Sequence, residues 1–193
     1  MHTIDRRCVM TNYINYKEIR AKVVEILETN NISTPDEINI ASIAKSQGIT
    51  NINLTRITEP NVSGFITAEN GRFDIHVNQS DVFTRQRFTV AHELAHKVLG
   101  HLDDIQTGDQ TAIVSIKRFE YLTNDITGEE IIREAEADAF AGEILVPFHM
   151  LKKLWQRGTR NAKLLANEFF VSEPMMHKRL SICLNELEPE VEF

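Results

Sequence analysis

His92-Glu93-Leu94-Ala95-His96 lies inside a segment, Val82 to Leu99, whose apolar residues Phe88, Leu94, Ala95 and Val98 predict a long helix closed by Gly100. Residues four apart on a helix share a face, so two imidazoles at that spacing can reach one ion. Zinc suits imidazole nitrogen, and its catalytic sites use three protein ligands and one water. Glu93, next to the first histidine, is placed to take a proton from that water. Ala91, Leu94 and Ala95 flank the pair, so this turn reads as buried rather than as a solvated helix face. The expected site is therefore a zinc centre on His92 and His96, with Glu93 as general base.

The third ligand must come from elsewhere. A metzincin would place glycine at 99 and histidine at 102, but Leu99 and Leu102 stand there. His101 follows the helix-breaking Gly100 and reads as a surface or capping residue. A better source is Arg133-Glu134-Ala135-Glu136-Ala137-Asp138-Ala139-Phe140-Ala141, in a helix expected from Glu129 to Leu145. Its small residues allow close approach to a second helix. Glu134 is the expected ligand and Glu136 the alternative. Asp138, four residues on, shares the face of Glu134 and can accept a hydrogen bond from a ligand histidine.

Outward from this centre, Asn53–Ile57, Val62–Ala68 and Phe73–Val77 read as strands. Asn70-Gly71 between the last two is a strong hairpin signal. A helix is expected from Tyr16 to Glu28. A second should open at Pro35-Asp36-Glu37 and end at Gly48. Leu102–Thr127 reads as a loop-rich insertion with a strand near Thr111–Ile116. Further helices are expected at His149–Trp155, Asn161–Phe170 and, capped by Ser172, Glu173–Leu184. The fold class is α+β, a small antiparallel sheet on helices. The expected organisation is an N-terminal helical segment at 1–60, a catalytic core at 61–147 and a C-terminal helical segment at 148–193.

The 193 residues carry a formal net charge of −7, 42% hydrophobic and 25% charged residues. The acidic total argues against non-specific nucleic-acid binding as the main role. Lys152, Lys153, Arg157, Arg160 and Lys163 form a basic cluster that reads as a solvated helix face. Cys8 and Cys183 are far apart, which fits free thiols in a reducing compartment rather than a disulfide scaffold. With a polar N-terminus and no apolar run of about 18 residues, the expected location is the cytoplasm.

Arg87 to His96, followed by Glu134 to Pro147, resembles the ImmA/IrrE family of metallopeptidases. The likeness extends to Val77-Asn78, Val171-Ser172-Glu173 and Arg179-Leu180, and covers roughly residues 35 to 185. Two positions depart from the family pattern, which often has glycine at Ala95 and asparagine at Asp138. The resemblance implies a zincin-like fold, with zinc on His92, His96 and Glu134 and with Glu93 as base. It also implies a zinc-dependent endopeptidase that acts on a helix-turn-helix repressor, in a mobile-element, toxin–antitoxin or stress-response switch. A partner-binding regulator or toxin with little turnover is the alternative, and DNA binding by a helix-turn-helix-like element at Lys163–Leu184 is a third reading. Tyr121, His101 and His149 are open as oxyanion stabilisers. Strand Phe73–Val77 is expected to offer an edge to an extended peptide.

Overall fold

The computed structural model describes residues 14–102, 112–118 and 128–188. Among these, α1 spans Tyr16–Thr29, α2 Ile40–Ser46, β1 Asn51–Thr55, β2 Val62–Glu69, β3 Arg72–Asn78 and α3 Phe83–Val98. They are followed by β4 at Ala112–Arg118, α4 at Gly128–Leu145, α5 at Phe148–Gln156, α6 at Ala162–Glu168 and α7 at Glu173–Leu187. The class is α+β, as the sequence predicts, and the expected elements are found within a few residues except at 35–48.

The four strands are ordered β1-β3-β2-β4. β2 and β3 form the expected antiparallel hairpin, closed at Glu69↔Arg72. Asn70 (φ 49°) and Gly71 (φ 75°) both occupy the left-handed region that a two-residue hairpin turn requires. The sheet is not purely antiparallel: β1 pairs with β3 in parallel, from Asn51↔Asp74 to Thr55↔Asn78. This is possible because the chain leaves β1 and passes β3 before entering β2, so β2 is not β1's neighbour. One expectation fails as a result. β3 has strands on both sides, so Phe73–Val77 offers no free edge; among the described residues the outer strands are β1 and β4.

Burial alternates along the hairpin. Ile66 and Ala68 on β2 and Ile75 and Val77 on β3 are 0–1% exposed, and Ile66 lies opposite Ile75. This face receives α3, which packs on β2, β3 and β4 and on α4 at its other side. Arg87 and every residue from Thr89 to His96 are buried, as befits a helix enclosed on all sides. Ala91 and Ala95 on α3 and Ala137 and Ala141 on α4 are fully buried. These small side chains let the two helices approach closely. α1 packs on α4, and α6 on α7. Phe140, Phe169, Leu94, Leu27 and Met176 join one core that draws on every helix.

The region 35–48 is two elements rather than the single helix expected. Pro35–Glu37 is a 3₁₀ turn closed by Glu37, whose carboxylate accepts the Ser33 and Thr34 N–H groups at 2.6 and 3.0 Å. Asn39 then starts α2 afresh, accepting the Ser42 N–H at 3.1 Å. Each local cap outcompetes continuation through Ile38. The basic cluster at 152–163 is largely solvated. Lys153, Arg157, Arg160 and Lys163 are exposed and Lys152 is half-buried.

Candidate metal centre

α3 presents His92 and His96 on one face, one turn apart, toward α4. Their Nε2 atoms lie 3.2 Å apart. Glu134 reaches them from α4, with Oε2 at 3.1 Å from His92 Nε2 and Oε1 at 3.2 Å from His96 Nε2. One ligand atom from each of the three residues falls within 4.8 Å of the others. A tetrahedral ion with bonds of about 2.0–2.1 Å sets its ligands roughly 3.3 Å apart, close to the spacing found here. Two imidazoles and a carboxylate are also donors that a divalent metal accepts. The residues present fit a metal ion.

The electrostatics agree. Burial by itself raises the Glu134 carboxyl, but the His92 and His96 rings beside it outweigh that and hold the group well below the ordinary carboxylate range. An ionised Glu134 therefore faces the histidines across neutral pH. Glu93 is fully buried, adjacent to His92 in the chain.

The outer contacts set which ring nitrogens face the centre. His92 turns Nδ1 to Asp138 Oδ1 at 3.0 Å, the contact the sequence analysis anticipates. Asp138 is held in turn by Lys178 Nζ of α7, which donates to Oδ2 at 3.1 Å. His101 is not a free surface residue. Its Nδ1 lies 3.1 Å from His96 Nδ1 and its Nε2 lies 3.2 Å from Glu136 Oε2. Burial, followed by the neighbouring His96, pushes the His101 imidazole down to about 4. Burial also raises the Glu136 carboxyl. Glu136 thus contacts His101, while Glu134 meets the two motif histidines.

The other sequence candidates fall as follows. Tyr121 and Cys8 lie outside the described residues, and Cys183 is a buried free thiol. His149 is half-buried on α5. Arg179 is no surface cation: it is 3% exposed, binds Glu143, and donates from Nε to the Val146 carbonyl at 3.1 Å. Within the helix-turn-helix-like segment Lys163–Leu184, Arg179 is thus in the core and Lys178 holds Asp138. A groove beside Asp138, lined by Phe88, Leu145, Val171, Met175 and Lys178, has no forerunner in the sequence reading. Its lining comes from β2, from α3 and the residue before it, from α4, and from α7 and the loop before it. No helix among the described residues is long and apolar enough to cross a membrane.

Comparison with known proteins adds three findings. No curated protein sequence matches the chain. A solved structure described as a Mycobacterium tuberculosis transcriptional regulator shares the fold with a TM-score of 0.59 at 18% identity, over 88% of this chain and 48% of that one. This chain therefore spans about half the length of that regulator. The model of the family Peptidase_M78, described as the IrrE N-terminal-like domain, matches residues 44–181, which include both histidines, Glu134 and the packing around them. With its two-histidine helix facing an acidic helix across that matched span, the chain belongs to the Peptidase_M78, IrrE N-terminal-like, family.

Proposed function

We propose that this protein is a zinc-dependent endopeptidase with His92, His96 and Glu134 as ligands and Glu93 as general base. The observation that supports it most directly is the meeting of both Nε2 atoms with the Glu134 carboxylate at 3.1–3.2 Å. When bound, zinc polarises the scissile carbonyl and makes water acidic enough to attack at neutral pH.

The protein's own residues supply the rest. Glu93 accepts the proton that the water loses as its oxygen bonds to the carbonyl carbon. As the C–N bond breaks, the same carboxyl gives that proton to the departing amine, and the base is restored. Asp138 and Lys178 keep His92 turned so that Nε2 points inward. The substrate we propose is a specific cytoplasmic protein, a helix-turn-helix repressor, in a mobile-element, toxin–antitoxin or stress-response switch. Family membership supports that choice. A second reading is a partner-binding regulator with little turnover. The observation in its favour is that a protein of this fold is described as a transcriptional regulator.

The separating experiment incubates zinc-loaded wild type and Glu93→Gln with a panel of purified helix-turn-helix repressors and reads new N-termini by mass spectrometry. Discrete new termini with wild type only support the peptidase. A repressor bound by both proteins and cut by neither supports the regulator instead.

A further inference from the structure

The end of α3 is closed by a reciprocal cap. The Gly100 N–H donates to the Lys97 carbonyl at 3.2 Å and the His101 N–H to the His96 carbonyl at 2.9 Å, with Gly100 at φ 76°. This is the Schellman arrangement, in which the second residue past the cap commonly packs on the last full turn of the helix. Here those two positions are His101 and His96, so the cap itself brings their imidazoles together, with ring centroids 5.1 Å apart and planes 67° from parallel.

We infer that His101 is a positioning residue for the metal centre and that Glu136 sets its tautomer. The inference rests on the reading of His96 as a ligand. A carboxylate only accepts, so the Glu136 contact at 3.2 Å fixes the His101 proton on Nε2. Nδ1 of His101 is then an acceptor. The 3.1 Å contact between the two Nδ1 atoms becomes a hydrogen bond only if His96 carries its proton on Nδ1. That leaves a lone pair on His96 Nε2, which faces Glu134. His92 reaches the same state through Asp138 directly. The two ligands are thus oriented by different devices: a carboxylate for one, a carboxylate acting through a second imidazole for the other. His101 does not bind the metal itself, because it meets the ring of His96 at the nitrogen turned away from Glu134.

The test measures zinc affinity by competition with a chromogenic chelator for wild type, His101→Phe, His101→Asn and Glu136→Gln. An asparagine oxygen can stand in for the accepting Nδ1, and a glutamine oxygen for the Glu136 acceptor. We expect His101→Phe to weaken zinc binding 10–100-fold, and His101→Asn and Glu136→Gln to stay within a few-fold of wild type. Imidazole ¹⁵N NMR of the zinc-loaded protein should show His101 protonated on Nε2 alone. Equal affinity in His101→Phe overturns the inference, as does a His101 protonated on Nδ1. A His101→Asn as weak as His101→Phe overturns it too, by showing bulk rather than the acceptor to matter. A wild type that takes up no zinc overturns the metal centre as well, and so is told apart from failure of the positioning role alone.

Discussion

Asp138 Oδ1 lies 3.0 Å from Nδ1 of His92, and the same carboxylate accepts Lys178 Nζ at 3.1 Å, so one side chain joins α3, α4 and α7. Asp138 stands one helical turn from Glu134, which places the proposed ligand and the carboxylate that meets His92 on the same face of α4. Removing the acceptor with Asp138→Leu should weaken zinc binding about 10–100-fold. Asp138→Asn keeps an oxygen for His92 and should stay within a few-fold, while weakening the half-exposed pair with Lys178. Chelator competition on both variants checks this. A leucine variant as tight as wild type would show that His92 needs no such partner.

Glu134 and Glu136 should differ in kind. Glu134→Ala removes a group within 3.2 Å of both histidines and should abolish stoichiometric zinc in the purified protein. Glu136→Ala leaves all three proposed ligands in place and should retain about one zinc per chain at lower affinity. Thermal unfolding provides an independent readout. At free zinc near one hundred times its dissociation constant, binding adds about 2.7 kcal/mol to stability. Chelation should therefore lower the Tm of wild type and leave that of Glu134→Ala unmoved. Equal responses would argue that the ion sits elsewhere.

How much of this was readable beforehand follows from periodicity. His92 and His96 are four apart on one helix, and Glu134 and Asp138 are four apart on another, so helical geometry alone pairs each set. The hairpin was readable because Asn-Gly has few other uses between strands. His101 was missed because it lies beyond the helix, where no period applies. Its position depends on Gly100 turning the chain back. The available signal was glycine followed by histidine at the helix end, five residues after His96. The parallel seat of β1 and the break at Ile38 were also hidden. The first depends on which strand the chain passes over, and the second on two short side-chain caps competing with a plausible helix.

Gly64 records how closely α3 lies on the sheet. A Cβ there would sit 2.4 Å from Thr89 Cγ2 and 2.5 Å from the His76 carbonyl oxygen. Gly64→Ala should destabilise by about 1–3 kcal/mol or more, read by urea denaturation of the metal-free protein. Trimming Thr89 to alanine should not rescue it fully, because the carbonyl on β3 cannot withdraw without disturbing the ladder. A neutral Gly64→Ala would mean that α3 is free to ride up on the sheet.

Acid sensitivity has an assignable surface component. The Arg20 guanidinium donates to both oxygens of Glu186, at 2.7 and 2.9 Å, and this hydrogen bonding holds that carboxyl below its ordinary range. Because the folded-state pKa is depressed, the stabilisation is present above the unfolded carboxylate pKa and is lost as pH falls through the folded one. Glu186 is half-exposed, so the contribution should be under about 1 kcal/mol. Glu186→Gln should lower stability slightly at pH 7, and the difference from wild type should shrink toward zero below the carboxylate range. A gap that persists in acid would assign the effect to packing instead.

Arg179 and Glu143 form the buried pair that fastens α7 to α4. Arg179 is also tied to the Val146 carbonyl, and Glu143 accepts the Phe148 N–H at 2.8 Å and lies 3.6 Å from Arg20 Nε. Cutting one member leaves the other charged in the core. Arg179→Met should therefore cost about 3–5 kcal/mol, toward the lower figure because Arg20 still partly neutralises Glu143. The double variant Arg179→Met with Glu143→Gln should recover part of that loss, since the stranded charge is gone while the glutamine oxygen still serves Phe148. Urea denaturation of wild type, both single variants and the double variant decides it. If the double variant is as unstable as the sum of its parts, the pair contributes through shape rather than charge, and the C-terminal helix is held mainly by the apolar contacts of Met176 and Cys183.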